Sequence, residues 1–163
     1  MEFRTLEGTG LKVSVVGFGG WAIGGGYNIN GNPIGYGKTD DFESLAAIEK
    51  AIDIGINLID TADAYGGGHS ECLIGQVLQA RHSNCFVATK VGNQRRDPFP
   101  ARKNLDYDYM VMACESSLRR LRRKVIDLYQ LHNPSMAVIK SNSVWETLVD
   151  EMLKAEANYL PKF

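Results

Sequence analysis

Short apolar segments alternate with amphipathic helical patterns along most of this 163-residue chain. A segment such as Ile56–Asp60 has the length and the apolar character of a strand that is covered on both faces. When a strand is followed by a helix and then by another strand, the connection is a crossover and the two strands run parallel. The alternation therefore predicts an α/β fold on a parallel sheet, and we expect one domain over residues 1–163.

Caps, breakers and periodicity predict the individual elements. Gly8 and Gly10 indicate an N-terminal β-hairpin, and four strand–helix units are predicted to follow it. The predicted strands are 13–16, 56–60, 85–90 and 125–132, and the predicted helices begin near Asp40, Glu71, Asp106 and Ser143. The first helix is predicted to end at Gly55. The glycine-rich segment 17–37 and the polar segment 91–105 are predicted to be loops.

Charge and composition exclude several classes of protein. The formal net charge is -1, so the chain lacks the positive surface that a nucleic-acid partner requires. We expect the basic run Arg119–Lys124 to stay solvated at a helix end. No apolar segment reaches the roughly 18 residues of a membrane span, and the N-terminus lacks the apolar core of a secretion signal. Three scattered cysteines, Cys72, Cys85 and Cys114, predict reduced thiols in a cytoplasmic protein.

Three predicted strands end in an ionisable residue, namely Asp60, Lys90 and His132. The carboxyl ends of parallel strands lie on one side of the sheet, which is the side where α/β proteins bind their ligands. Tyr65 follows Asp60 by five residues, in the turn that leaves the same side. Each residue alone also has a structural interpretation, such as a turn cap for Asp60 or a solvent-exposed chain end for Lys90. Their joint occurrence at one rim favours a functional site.

These four side chains suit the reduction of a carbonyl group. A ketone or aldehyde gains a hydride at carbon and a proton at oxygen, and Tyr65 can supply the proton. The ordinary pKa of a phenol is about 10, so a neighbouring Lys90 ammonium is needed to stabilise the phenolate. Asp60 would orient Lys90, and His132 would donate a hydrogen bond to the substrate oxygen. None of these groups carries a hydride, which implies a cofactor such as a reduced nicotinamide.

Four segments of the sequence resemble the motifs of the aldo/keto reductase family. They occur in the family's order, and the resemblance spans roughly residues 3–155. The four segments are Val15–Trp21, Gly55–Gly66 with its continuation Gly68–Gly75, Phe86–Lys90, and Asp127–Pro134. The resemblance implies an NADPH-dependent oxidoreductase that reduces aldehydes or ketones to alcohols.

The resemblance also implies a fold and a set of site residues. The fold would be a (β/α)₈ TIM barrel whose bottom is closed by the N-terminal hairpin. The implied catalytic tetrad is Tyr65, Asp60, Lys90 and His132. The implied NADPH contacts are Gly20, Trp21, Asp60 and His132. For the small carbonyl substrate, we expect pocket walls from Trp21 and Tyr27.

The predicted elements account for about four β/α units, the N-terminal half of a barrel that usually needs about 250 residues. A second hypothesis therefore stays open, in which the chain is a non-catalytic half-barrel fragment or assembly module without the cofactor phosphate site. Such a half-barrel has open edge strands and an uncovered apolar face, so we expect either self-association or only marginal stability. Two other hypotheses are disfavoured. Gly17–Ala22 lacks the helix that follows a Rossmann loop, and His69, His82 and His132 lack the spacing of a metal site.

Overall fold

The computed structural model describes residues 1–29, 32–96, 99–141 and 143–148, without the side chains of 27–29, 32–33, 95–96 and 99–101. The strands are β1 (Phe3–Thr5), β2 (Lys12–Ser14), β3 (Phe18–Gly19), β4 (Tyr27–Ile29), β5 (Asn32–Ile34), β6 (Leu58–Asp60), β7 (Phe86–Val91), β8 (Asn93–Arg96), β9 (Phe99–Lys103) and β10 (Leu128–Leu131). The helices are α1 (Asp41–Asp53), α2 (His69–Ala80), α3 (Tyr107–Leu121) and α4 (Met136–Ile139), with 3₁₀ turns at Ala22–Gly24 and Tyr65–Gly68 and helical backbone at 143–148. None of the helices in these ranges is long and apolar enough to cross a bilayer.

Four parallel strands form the central sheet, in the order β10-β7-β6-β3. Helices α1, α2 and α3 connect successive strands of this sheet, as crossover units require. The antiparallel hairpin of β1 and β2 precedes them. The predicted architecture is confirmed: the chain has the parallel β/α arrangement of the TIM-barrel type, with about four units preceded by a hairpin.

The helices cover one face of the sheet with an apolar layer. Alternate residues of a strand point to opposite faces, and Val87 and Val91 of β7 are completely buried on the face that the helices cover. Ile74 of α2 and Leu121 of α3 are completely buried in the same cluster as Val87. The burial of each such side chain stabilises the fold by about 1.5–3 kcal/mol. This layer holds the strand ends, and the polar residues on them, in fixed relative positions.

Helix α1 begins and ends where local signals predict. The Asp40 carboxylate accepts hydrogen bonds from the backbone amides of Phe42 and Glu43 at 2.8 and 3.0 Å. The helix ends just before Gly55, whose φ of 91° lies in the left-handed region that favours glycine. Both predicted boundaries of this helix are therefore confirmed.

Other segments differ from the predictions. The predicted loops 17–37 and 91–105 contain hairpins, β4 with β5 and β8 with β9. The predicted strand 13–16 forms only in part, because β2 ends at Ser14 and a bend follows at Val15 and Val16. The two-residue strand β3 comes after this bend and joins the parallel sheet. The Asp106 side chain makes no capping hydrogen bond, and α4 is an additional short helix. The helix predicted from Ser143 is helical at 143–148, and the rest of that prediction lies outside the described residues.

Gly75 lies where α2 meets α3 and leaves no room for a side chain. A Cβ at this position would stand 2.4 Å from the Arg120 carbonyl oxygen and 2.6 Å from the Leu121 carbonyl carbon. We expect Gly75→Ala to lower the free energy of unfolding by about 1–3 kcal/mol, because overpacking outweighs the higher helix propensity of alanine. Urea unfolding measures the effect, with Gln76→Ala on the exposed side of α2 as the control. Equal stability of the two variants would contradict the close packing.

Candidate active site

The Lys90 ammonium is held at the carboxyl end of the sheet by two oxygen atoms. Lys90 lies near the end of β7, and Asp60 is the last residue of the adjacent parallel strand β6. Lys90 Nζ donates hydrogen bonds to Asp60 Oδ2 and to the Thr61 carbonyl oxygen, both at 2.7 Å. The Lys90 side chain is 16% exposed and that of Asp60 46%, so the ammonium lies deeper than its carboxylate partner. The structure thus brings these two predicted residues together.

Tyr65 opens the 3₁₀ turn that follows β6 and stands over Lys90. Gly66 and Gly67 in this turn have φ values of 61° and 65°, which glycine adopts without strain. Lys90 Nζ lies 3.5 Å from Tyr65 Oη and 5.1 Å from the centre of the ring. A separation of 3.5 Å is a weak hydrogen bond, and contacts of this kind commonly shorten when substrate binds. The ammonium therefore faces the phenol oxygen.

His132 follows β10 and places a neutral imidazole beside the phenol. Its backbone amide donates to the Val91 carbonyl oxygen at 2.8 Å, and its ring stands edge-on to Tyr65 with centroids 5.7 Å apart. Burial, together with the Lys90 and Lys103 ammonium groups, lowers the pKa of His132 to about 4. The imidazole is therefore neutral at pH 7 and retains one N–H donor. Its Nδ1 is buried without a hydrogen-bond partner in the described part of the chain.

Two further aromatic rings extend the wall beside Tyr65. Trp21 stacks on Tyr65 with an interplanar angle of 26° and a centroid distance of 6.2 Å, and Tyr36 meets Trp21 edge-on at 5.1 Å. Trp21 is 45% exposed and Tyr36 66%, so both rings are accessible to a bound molecule. The sequence predicts Trp21 at this place but not Tyr36, for which an aromatic residue in a glycine-rich segment is the only signal. The side chain of Tyr27, the other predicted wall, lies outside the described residues.

Gly20 fixes the backbone that carries Trp21. Its amide donates to the Asp60 carbonyl oxygen at 2.7 Å, and its own carbonyl oxygen accepts from Ser70 Oγ at 2.8 Å. A Cβ on Gly20 would stand 2.6 Å from Ser70 Oγ and 3.2 Å from Thr61 Oγ1, so the chain packs here without space for a side chain. This close packing anchors the segment that places Trp21 against the candidate site.

Three groups of this site fit the nicotinamide riboside end of a dinucleotide cofactor. The Trp21 ring offers a flat surface on which an aromatic ring can stack. The half-exposed Asp60 carboxylate can accept hydrogen bonds from hydroxyl groups. The buried Nδ1 of His132 has no hydrogen-bond partner within the described ranges, so its hydrogen-bonding capacity is available there. Apolar stacking and polar groups thus occur side by side, as a heteroaromatic amide on a sugar requires.

Behind the candidate site, Glu71 forms a buried network that the sequence analysis does not predict. Its completely buried carboxylate accepts hydrogen bonds from Thr89 Oγ1 at 2.6 Å and from Arg120 Nε at 2.7 Å. Arg120 belongs to the basic run predicted to be solvated, and for this residue the prediction is wrong. Its guanidinium is paired with a carboxylate 49 residues away in sequence. The network joins α2 and α3 to the strand that carries Lys90.

Asp63 is a second buried carboxyl beside this network. Burial raises the pKa of Asp63 to about 7, the Glu71 carboxylate adds to the rise and Arg120 opposes it. Asp63 Oδ1 is buried with no hydrogen-bond partner among the residues described. The Asp63 amide also donates to the Lys90 carbonyl oxygen at 3.3 Å, which links it to the candidate site. Near pH 7 this carboxyl is therefore partly protonated.

We expect Asp63→Asn to change the free energy of unfolding in a pH-dependent way. Relative to the unmodified chain, the variant gains stability as the pH rises from 4 to above neutral. A carboxyl whose pKa is raised by folding contributes stability that is complete below its ordinary pKa of 3.8 and is lost as the pH rises through about 7. Asparagine does not ionise, so the variant escapes this loss, which is on the order of 4 kcal/mol by about pH 8. Urea unfolding of both chains at about pH 4, 6 and 8 measures it. His132 is present in both chains, so its own titration cancels in the comparison. A difference in the free energy of unfolding that does not vary with pH would contradict the expectation.

Comparisons with known proteins lead to one family. A sequence model of the aldo/keto reductase family matches residues 15–155. The Aldo-keto reductase YhdN of Bacillus subtilis is 34% identical over 154 residues, which are 92% of this chain and 44% of that protein. The L-galactose dehydrogenase of Arabidopsis thaliana is 34% identical over 142 residues, which are 82% of this chain and 38% of that protein. The chain thus spans less than half the length of these relatives.

Solved structures give the same result. The holo form of the aldo-keto reductase AKR11C1 from Bacillus halodurans matches with a TM-score of 0.75 and 30% identity, over 93% of this chain and 47% of that one. An aldo-keto reductase from Klebsiella pneumoniae in complex with NADPH matches with a TM-score of 0.63 and 26% identity, again over 93% and 47%.

Proposed function

This chain belongs to the aldo/keto reductase family, an oxidoreductase family, and we propose that it carries the catalytic residues for NADPH-dependent reduction of aldehydes or ketones to alcohols. The observation that carries the proposal is a series of three groups in contact. The Asp60 carboxylate lies 2.7 Å from the Lys90 ammonium, which lies 3.5 Å from the Tyr65 phenol oxygen. The chain spans 44% of the length of the Bacillus subtilis relative. That it has the activity of a full-length reductase is therefore proposed here as well.

Each of the four residues has a distinct role in this proposal. Tyr65 donates a proton to the carbonyl oxygen of the substrate, and Lys90 stabilises the phenolate that remains. Asp60 holds Lys90 Nζ beside the phenol. His132, which is neutral at pH 7, donates a hydrogen bond to the same substrate oxygen and orients it.

The proposed cofactor is NADPH, which when bound would supply the hydride for the carbonyl carbon. A homologue was solved with this cofactor, and the Trp21, Asp60 and His132 side chains suit its nicotinamide riboside end. We assign the nicotinamide ring to Trp21 and to the Gly20 backbone. We assign the polar groups of the nicotinamide riboside to Asp60 and His132. Trp21 would then also form one wall of the substrate pocket, next to the nicotinamide ring.

Equilibrium titration with NADPH tests cofactor binding without requiring turnover. The Trp145→Phe variant leaves Trp21 as the only tryptophan, since the chain has two. We expect NADPH to quench Trp21 fluorescence, because Trp21 stacks on Tyr65 at the proposed nicotinamide position. Loss of NADPH absorbance with small aldehydes and ketones then measures turnover. Absence of quenching up to about 1 mM NADPH, a binding free energy weaker than about 4 kcal/mol, would overturn cofactor binding by this chain.

A second candidate function is that of a non-catalytic half-barrel that assembles with another copy of itself. Within the described ranges, the edge strands β3 and β10 each pair with one strand only. On the face opposite the helices, Leu58, Phe86 and Leu128 are only partly buried. Unpaired edges and partly exposed apolar side chains both favour association. Light scattering over a range of concentrations tests this function, and a stable monomer with a sharp unfolding transition would count against it.

A further inference from the structure

Lys103 is the last residue of β9. At this end, the hairpin of β8 and β9 is anchored beside the candidate site. The Asn104 amide donates to the Gly92 carbonyl oxygen at 3.0 Å, and Asn104 Nδ2 donates to Gln94 Oε1 at 2.9 Å. Asn104 is buried, so water does not compete for these bonds. Gln94 Oε1 also accepts from Arg102 Nε at 2.9 Å. The backbone that carries Lys103 is therefore held in place in the free protein.

The Lys103 ammonium lies against His132. Lys103 Nζ donates a charge-assisted hydrogen bond to the His132 carbonyl oxygen at 2.6 Å. The same charge contributes to the lowered pKa of His132, so it acts on the imidazole as well as on the backbone. Lys103 remains an exposed residue, and the carbonyl oxygen uses only one of the three N–H donors of its ammonium. Two donors are left for another acceptor.

The charges around His132 do not cancel. Lys90 is paired with the Asp60 carboxylate at 2.7 Å, so this cation is locally neutralised. His132 itself is neutral at pH 7. Lys103 contacts a carbonyl oxygen and, within the part of the chain that is described, no carboxylate. Among the described residues, the wall beside the imidazole therefore carries a positive charge that no carboxylate pairs.

We propose that Lys103 makes this site selective for carbonyl compounds that carry an anionic group, a carboxylate or a phosphate, near the carbonyl. This inference rests on the proposed function, in which His132 holds the substrate oxygen and so brings a substituent of the substrate beside Lys103. An anion at that position would meet an ammonium that is already oriented by His132, which reduces the cost of ordering the side chain. Complementary charge would also exclude substrates with a cationic substituent.

Calorimetric titration with ligands that cannot be reduced tests the inference independently of turnover. Succinate and glycerol 3-phosphate are the anionic probes, and succinamide and glycerol are their neutral counterparts. The titrations compare the unmodified chain with Lys103→Gln at low salt, because screening weakens an exposed charge contact. The matched control is Lys124→Gln, which removes an exposed positive charge beyond the end of α3.

We expect the anionic probes to bind more tightly than the neutral ones and to lose about tenfold in affinity in Lys103→Gln, with no change in Lys124→Gln. Binding of only one anionic probe would support the inference and identify the group. Equal binding of charged and neutral probes, no measurable binding of the anions, or unchanged affinity in Lys103→Gln would overturn it. Lys103→Gln could instead weaken NADPH binding about tenfold and leave the probes unaffected. That result would also overturn it, because the charge would then serve the cofactor.

Turnover assays separate failure of this inference from failure of the proposed function. The substrates are 4-oxobutanoate and butanal, which differ in the carboxylate. If the chain reduces neither, the proposed function fails, and the calorimetric comparison still decides the role of Lys103. If it reduces both with equal kcat/KM, the proposed function stands and the selectivity is overturned.

Discussion

Tyr65→Phe is expected to lower kcat for the proposed carbonyl reduction about a thousandfold. Removal of a general acid typically costs a factor of 10²–10⁴, and phenylalanine keeps the ring but not the proton. The Lys90 ammonium then has no phenol oxygen at 3.5 Å, and no phenolate to stabilise. Steady-state rates with NADPH and a small aldehyde measure the effect.

Binding of the cofactor should survive this substitution, because the stacking of Trp21 on residue 65 requires only the ring. NADPH quenching of Trp21 fluorescence is therefore expected to be nearly unchanged in Tyr65→Phe. Tyr107→Phe, on the first turn of α3, removes the hydroxyl of a tyrosine that lies outside the candidate site and is 41% exposed, and it is the matched control. A Tyr65→Phe chain that kept more than about a tenth of the rate would exclude Tyr65 as the proton donor.

Glu71→Ala is expected to lower the free energy of unfolding by about 3–5 kcal/mol. The Glu71 carboxylate is completely buried, and its loss leaves the Arg120 guanidinium and the Thr89 hydroxyl without their acceptor. An unpaired charge in such a place is far more costly than the intact pair is stabilising. Urea unfolding near pH 7 measures the loss, which is large relative to the stability of a domain of this size.

Two comparisons isolate the cause of that loss. Glu115→Ala removes a carboxylate of the same kind from the exposed pair with Arg119, at 3.6 Å, and is expected to cost less than about 0.5 kcal/mol. The double variant Glu71→Ala with Arg120→Met is expected to be more stable than Glu71→Ala alone, since no buried charge is left unpaired. If the double variant were the less stable of the two, the ion pair could not be the source of the effect.

Features whose signals are local were accessible from the sequence. The cap at Asp40 and the breaker at Gly55 predict α1, because each acts through residues within one turn of itself. The proximity of Asp60 and Lys90 was also accessible, although these residues are 30 positions apart. Parallel strands place their carboxyl ends on one side, so topology replaces the missing local signal.

Features that depend on a distant partner were not accessible. The hairpin of β8 and β9 has a polar sequence without clear alternation, so nothing in it predicts a register that pairs Asn93 with Lys103 and Gln94 with Arg102. Arg120 sits among other basic residues, and nothing in that run distinguishes it as the partner of Glu71. Tyr36 is placed against Trp21 by the fold of a glycine-rich segment, which has no helical or strand period.

Consecutive residues of β7 serve opposite sides of the sheet. The Thr89 hydroxyl donates into the interior to Glu71, whereas Lys90 Nζ points to the other face and contacts Asp60 and Tyr65. Deletion of one residue before Thr89 would turn both side chains to the opposite faces of the sheet. The Lys90 amine would then enter the apolar layer, and the Thr89 hydroxyl would face the pocket. Insertions or deletions before Thr89 in β7 therefore keep both side chains on their present faces only when they change the strand length by an even number of residues.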